Sequence, residues 1–326
     1  MKGEDIAAYK IVSSGEFAYN PARINVGSIA RYDGETDCMI SSLYVCFNAK
    51  KELVDSQLLL HILKSPKMLY NYGINGEGGV RIYLFYPNFA RIRVKLPSIE
   101  EQQKIASFLN LIEERIQVQN KVIEDLKKLK TAIEERIIKL VQGKQISLGD
   151  ILEERNEKST ENNQFEVLSS TVTGIFNQRE YFNKDIASAN NSGYKIVRRG
   201  DIVLSPQNLW MGNINYNDCF EIGIVSPSYK VFSIRKAFDE RYVSFLLKTK
   251  KALWEYSLVS EQGASIVRRN LNYESFQEIS FQIPSYNKQK EVGNVITAVN
   301  RKLLLEQKLF LSLSRQKSFL LSNMFI

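Results

Sequence analysis

Histidine occurs once in this chain, at His61, and cysteine three times, at Cys38, Cys46 and Cys219, with no CxxC pair among them. A lone imidazole and scattered thiols cannot build a zinc centre or a disulfide framework. No metal site is therefore expected, and the thiols read as buried or incidental in a reducing compartment. No run of about 18 apolar residues is present, which argues against a membrane-spanning helix. The start, "MKGEDIAAYK", puts Glu4 and Asp5 where a secretory signal needs a positive patch and then an apolar run, so a cytoplasmic protein is expected. A GxxxxGK[ST] phosphate loop is also missing. The glycine-rich "GEGGVR" at 76–81 lacks that lysine and reads as a flexible turn.

What is present is an ordinary globular composition of 326 residues, enough for two modest domains. Lys and Arg number 44 against 36 Asp and Glu, a formal net charge of +8. That excess points towards a polyanion partner without naming one, because many basic proteins bind no nucleic acid.

The chain repeats itself. "YKIV" occurs at Tyr9 to Val12 and again at Tyr194 to Val197, 185 residues on (194 − 9), and the flanking "SSGEF" matches "RRGDI", with Gly15 on Gly200 and Glu16 on Asp201. Further along, "FARIRVKLPSIEEQQKI" lies on "FQEISFQIPSYNKQKEV", with Pro97 on Pro284 and Gln102 on Gln289 at an offset of 187 (289 − 102). A drift of two residues is what altered loop lengths produce, so one duplication accounts for every match.

Each repeat ends in a heptad. Ile105, Leu109, Ile112, Ile116, Ile123, Leu126, Ile133, Ile137 and Leu140 follow steps of four and three, with Gln119 and Lys130 in the gaps and no Gly or Pro from Ile99 to Val141. A helix of that extent is about 60 Å long. Val292, Ile296, Val299, Leu303, Phe310, Leu313, Leu320 and Met324 repeat the frame, interrupted by Glu306 and Lys317. The interruptions fall at equivalent places, so an antiparallel pair is expected with Lys130 facing Glu306 and Gln119 facing Lys317, a polar device for fixing register. Two amphipathic helices packing separately would leave the matched gaps unexplained.

Ahead of each helix lie short Val-, Ile-, Phe- and Tyr-rich runs such as "DIVLS", "NINYN" and "EISFQIP", punctuated by Gly, Asn and Pro as strands and turns are. "DSQLLLHILKSPKML" and "DERYVSFLLKTKKALWEYSL" have helical spacing at matching places, and Gly143 sits where the first long helix should stop. The expected fold class is α+β: two mixed α/β modules with two long antiparallel helices forming a coiled coil. The boundaries are 1–98 and 144–284 for the modules, 99–143 and 285–326 for the helices.

This order of parts, with "LPSIEEQQKIASFLNLIEERI", "SLGDILEERNEKS" and "YKIVRRGDIVLS" at the junctions, resembles the specificity subunit (S, HsdS) of Type I restriction-modification systems. The resemblance covers nearly the whole chain. It implies that each module is a target recognition domain reading one half of a split DNA site, and that the helices hold two modification (methyltransferase) subunits. Those subunits bring S-adenosylmethionine and methylate adenine; no cofactor belongs to this chain, and a motor-nuclease restriction subunit can join. The first copy of "YKIV" lies only eight residues from Met1, so the first recognition domain is expected to be shortened at its N-terminus.

No catalytic residue is expected. The nearest approach to the Asn/Asp-Pro-Pro-aromatic motif of adenine methyltransferases is "YNPAR", which lacks the second proline and the aromatic. Base reading calls for Arg, Asn and Gln on loops, and phosphate contact for exposed cations. In the second module the candidates are Gln207, Asn208, Trp210 and Asn213 in "SPQNLWMGN", and Arg268, Arg269 and Asn270 in "IVRRNLN". Lys195, Arg198 and Arg199 suit phosphates. In the first module Asn20, Arg23 and Arg81 correspond. The competing readings are a coiled-coil scaffold whose modules bind protein, disfavoured by the charge and these loops, and a stand-alone nuclease or methyltransferase, disfavoured by the missing motifs.

Overall fold

A computed structural model describes residues 8–79, 81–182, 188, 190–262 and 268–323. The chain divides into two compact units, Met1–Asp125 with Leu304–Ile326, and Leu126–Leu303. No helix among the described residues is long and apolar enough to cross a membrane.

The first unit contains β1 (Lys10–Val12), β2 (Phe17–Tyr19), β3 (Ile29–Arg31), β4 (Cys38–Ile40) and β5 (Val45–Phe47), then α1 (Ser56–Leu63), α2 (Pro66–Asn75), α3 (Tyr86–Arg91) and the start of α4 (Ile99–Leu140). β2 is the middle of a three-stranded antiparallel sheet, with β3 and β5 beside it, and β1 pairs with β4. Its core gathers Phe17, Tyr19, Leu58, Tyr72 and Leu84 around Leu109 of α4. Each large side chain so buried stabilises the unit by about 1.5–3 kcal/mol.

The second unit contains β6 (Lys144–Ser147), α5 (Leu148–Ile151), β7 (Leu152–Arg155), β8 (Leu168–Thr171), β9 (Gly174–Asn177), α6 (Gln178–Phe182), β10 (Lys195–Arg198), β11 (Ile202–Leu204), β12 (Ile214–Tyr216), β13 (Ile222–Val225) and β14 (Lys230–Ile234). α7 (Glu240–Leu246), α8 (Lys250–Leu258), β15 (Ser260–Gln262), β16 (Arg269–Leu271), α9 (Tyr273–Glu278), β17 (Ser280–Ile283) and α10 (Tyr286–Asn323) complete the chain. Its main sheet runs β12-β11-β14-β7, with β17 pairing β6 and β10 pairing β13.

The duplication is exact in register. Phe17 faces Phe47 and Arg31 in one unit, and Ile202 faces Phe232 and Tyr216 in the other, each 185 residues later (202 − 17). The two "KIV" strands keep the same relation: Lys10 pairs with Ile40, Lys195 with Val225. After each, a glycine at positive φ (Gly15 at 87°, Gly200 at 92°) turns the chain. The acid that follows accepts from the backbone three residues back, Glu16 from Ser13 at 2.9 Å and Asp201 from Arg198 at 2.7 Å.

Both helical stretches break into two helices where a side chain caps the second, Ser65 for α2 and Thr249 for α8. The long helices are anchored alike. Gln102 donates to the Pro97 carbonyl at 2.9 Å and accepts from the Asp55 amide, while Gln289 donates to Pro284 at 2.9 Å and accepts from Asp239. α4 ends at Leu140, and Gly143 follows where a Cβ would come within 2.0 Å of the Ile283 carbonyl oxygen, so the close approach of the backbones requires glycine.

α4 and α10 pack antiparallel, but not in the expected polar pairing. Gln119 donates to the Glu306 carboxylate at 2.5 Å and to its carbonyl at 3.1 Å, and Lys317 pairs with Glu113 instead of Gln119. Lys130 pairs with Glu134 one turn on, at 3.7 Å, rather than with Glu306. One matched gap meets its counterpart, Gln119 with Glu306, whereas Lys130 and Lys317 each pair with an acid elsewhere. Most heptad positions are at least half-buried; Leu140 at the helix end is exposed, and Met324 lies outside the described residues.

Candidate nucleic-acid interface

In the second unit, β11 leaves the sheet through a 3₁₀ turn, Pro206–Met211, and returns as β12. Gly212 closes the turn at φ 87°, a conformation that favours glycine. Its amide bonds back to the turn, and its carbonyl accepts from Lys248 Nζ at 2.9 Å. Burial holds the Lys248 ammonium well below the usual lysine range, at about 8. The β15–β16 hairpin packs against this same turn.

The consequence is a contact between two candidate stretches some sixty residues apart: the Arg269 guanidinium stacks over the Trp210 ring at 4.3 Å. Arg269 Nε is buried and finds no hydrogen-bond acceptor among the described residues. Gln207, Arg268 and Asn270 are exposed in the same two stretches, and Asn208 is half-buried with its carbonyl accepting from the Asn213 amide at 3.2 Å. The loop between the hairpin strands, 263–267, lies outside the described residues. An arginine held on an indole, in stretches that also carry exposed amides and a second arginine, can stack on a base and donate to its edge.

Two candidates are placed differently. Asn213 is 4% exposed; it donates to the Ser170 carbonyl at 2.9 Å and accepts from the Ser170 hydroxyl at 2.8 Å, and Asn215 donates to the same hydroxyl. These amides tie β12 to the β8–β9 hairpin, because a buried amide must find partners inside the fold. Asn213 is thus a brace and not a reader. Lys195 is 9% exposed and faces Glu154, Lys230 and Lys158, with burial lowering its pKa, so it offers no free ammonium to a phosphate.

Arg198 and Arg199 stay accessible but already hold acids. Arg198 bonds Glu157 at 2.6 Å, Arg155 bridges Glu157 and Asp201, and Arg199 pairs with Glu221 at 2.9 Å. The hydrogen bond from Arg198 keeps the Glu157 carboxyl below its ordinary range, while burial raises Asp201. Such surface pairs are worth about 0–1 kcal/mol, so a phosphate can displace the acid.

In the first unit the same turn recurs: 3₁₀ helix Ile24–Val26, closed by Gly27 at φ 88°. Arg23 is exposed at the position of Asn208, and Arg81 is exposed at the position of Arg268. Asn20 is half-buried and accepts from the Ala22 amide at 3.0 Å, shaping the turn. By the repeat offsets, Asn25 and Ile82 stand where Trp210 and Arg269 stand, so the stack is particular to the second unit.

The sequence reading missed Arg155, Glu157 and Lys248, which brace the interface from within. The equivalence of "SSGE" and "RRGD" was a signal that Asp201 serves the turn. Nothing local marks Lys248 as its support, since Gly212 and Lys248 meet only through tertiary packing. No cluster of three metal-binding side chains occurs among the described residues.

Residues 2–128 match the family model described as Type I restriction modification DNA specificity domain. Over 94% of this chain and 76% of the relative's length, the sequence is 21% identical to a Methanocaldococcus jannaschii protein described as the MjaX type I restriction enzyme specificity subunit. The crystal structure of the Type-I restriction-modification system S subunit from M. genitalium matches 97% of this chain and 84% of its own, at TM-score 0.63 and 15% identity. A structure reported for complex assembly and conformational transition of the type I R-M system matches 96% of this chain and 82% of its own, at TM-score 0.54 and 14% identity. The family model covers the first repeat and the start of α4, and the second repeat reproduces the first strand for strand. Residues 2–128 thus match the Type I restriction modification DNA specificity domain, and the chain as a whole is similar in sequence and fold to specificity subunits of type I restriction systems.

Proposed function

We propose that this chain is the non-catalytic subunit that gives a Type I restriction-modification complex its DNA sequence specificity, each unit reading one half of a bipartite duplex target. The observation that carries the reading is the Trp210–Arg269 stack, which joins two stretches that also expose Gln207, Arg268 and Asn270. Asn25 on the equivalent turn of the first unit, and Ile82 at the position of Arg269, support different base preferences for the two halves. Specificity arises where base edges meet side chains, and phosphate contacts only position them.

Two modification subunits, which bring S-adenosylmethionine, are assigned to the paired helices, and a restriction subunit can join through them. Exposed apolar side chains outside the α4–α10 seam support a docking role: Val118 at 64% and Leu305 at 54% exposure occupy equivalent positions in the two repeats. A cytoplasmic location accords with this work on intracellular DNA.

Reconstitution tests the proposal. The purified chain mixed with its cognate methyltransferase subunit should form a two-to-one complex that methylates adenine in one split sequence. A complex that methylates without sequence preference, or no complex at all, overturns it.

A further inference from the structure

The duplication supplies an internal reference for what covers each surface. In the second unit, β14 is paired on both sides, by β11 and by β7, with Val231 opposite Arg155. Its counterpart β5 pairs with β2 alone, so no described residue pairs with its outer edge. Likewise β17 pairs with β6, whereas its counterpart, residues 93–96, forms no ladder among the described residues.

Side chains record the same difference. Phe281 is 2% exposed under β6, and its counterpart Val94 is 39% exposed. Phe276 and Ile279 are buried beneath α5, while the equivalent Phe89 and Ile92 are only half-buried. A cleft of about 450 Å³ opens beside Ile62, Met68 and Val94; the equivalent cleft beside Leu246 and Phe281 measures about 110 Å³. In the second unit one continuous segment, 144–155, accounts for the strand pairing and the burial, while Ile137, Ile138 and Val141 of α4 line the smaller cleft. Leu148, Ile151 and Leu152 are fully or almost fully buried, and the Leu148 amide donates to the Ile279 carbonyl at 2.8 Å.

We propose that the first unit accepts a strand in trans: an extended segment of another polypeptide with the apolar pattern of Leu148, Ile151 and Leu152 adds to β5 and to residues 93–96. Open strand edges beside half-covered apolar surface take up strands, with ladder bonds giving affinity and alternate side chains giving specificity. An acid two residues after the last apolar position suits the slot. Glu154 accepts from Tyr273 at 2.6 Å and from Lys230 at 2.9 Å and attracts Lys195; in the first unit Tyr86 and Lys10 are the counterparts of Tyr273 and Lys195, and Val45 that of Lys230.

The probe is a synthetic peptide of residues 144–158 added to the full chain. The expected result is saturable binding with roughly tenfold slower amide exchange at Val45–Phe47 and 93–96, and no change at β14 or β17. Leu148→Asp with Ile151→Asp in the peptide should weaken binding at least about tenfold. Register is tested with a Cys38→Ser, Cys219→Ser chain: a peptide carrying Arg155→Cys as an activated mixed disulfide should exchange onto Cys46, the counterpart of Val231, and one carrying Leu152→Cys should not. Absence of binding overturns the proposal. So does slow exchange at β5 in the chain alone, which would mean that the chain covers its own edge, or slow exchange that grows with protein concentration, which would mean that a second copy does.

Discussion

Gln119 meets Glu306, the residue 187 positions later that holds its own place in the second repeat. The duplicated helices therefore cross with equivalent positions in contact, and a charge-assisted hydrogen bond sits where both heptads are interrupted. Replacing Gln119 or Glu306 singly by Ala should cost about 1.5–3 kcal/mol, as expected for a hydrogen bond to a charged group. Replacing both by Leu should recover most of that loss. Reversing Lys130 and Glu306 together should restore nothing, because Lys130 pairs with Glu134. Denaturant unfolding of the four variants checks this, and strictly additive losses at 119 and 306 would contradict it.

Trp210 and Arg269 act as one unit. Trp210→Ala and Arg269→Ala should each weaken binding to the specific duplex about tenfold, with the double variant well short of hundredfold, because removing either partner already dismantles the stack. Arg198→Ala and Arg199→Ala should weaken specific and random duplex alike and lower the salt slope by about one or less, since Glu157 and Glu221 already neutralise them. Fluorescence anisotropy across a salt series distinguishes the two patterns.

Asn213→Ala should lower stability by about 1–3 kcal/mol by stranding the buried Ser170 groups. Sequence preference should survive below the melting transition. A changed preference with unchanged stability would return Asn213 to the reading surface.

His61 is 8% exposed, with Nε2 2.8 Å from Asn110 Oδ1. Burial depresses its pKa below 6.5, aided by Lys317 and Lys64 and opposed by Asn110. The unfolded chain therefore takes up a proton near 6.5 before the folded one does, so this stability is intact above pH 6.5 and is lost as pH falls below it. Phe245 occupies the equivalent place in the second repeat. His61→Phe should make the first unit less sensitive to acid, seen as a gap in melting temperature that differs between pH 7.5 and 5.5. A gap that is the same at both values would show that His61 does not titrate on unfolding.

Much of the fold was legible because it is written in local chemistry. Gly15 and Gly200 at matching turns, Gln102 and Gln289 behind matching prolines, and the repeated heptads all identify elements without reference to distant residues. The candidate site was legible only in outline. The stretches around Trp210 and Arg269 could be named, but not their contact, and Asn213 and Lys195 have the composition of contact residues while lying inside.

By itself the sequence determined that one unit is built twice, where its strands turn and where its helices begin and end, since backbone preference, capping and periodicity act over a few residues. Only the tertiary structure decided which positions meet: Gln119 with Glu306, Arg269 on Trp210, Asn213 with Ser170 and, among the described residues, β5 with one neighbour where β14 has two. Those pairings depend on how many contacts across distant segments are satisfied together, and shifting a helix by one turn or exposing one amide changes partners without altering any local pattern.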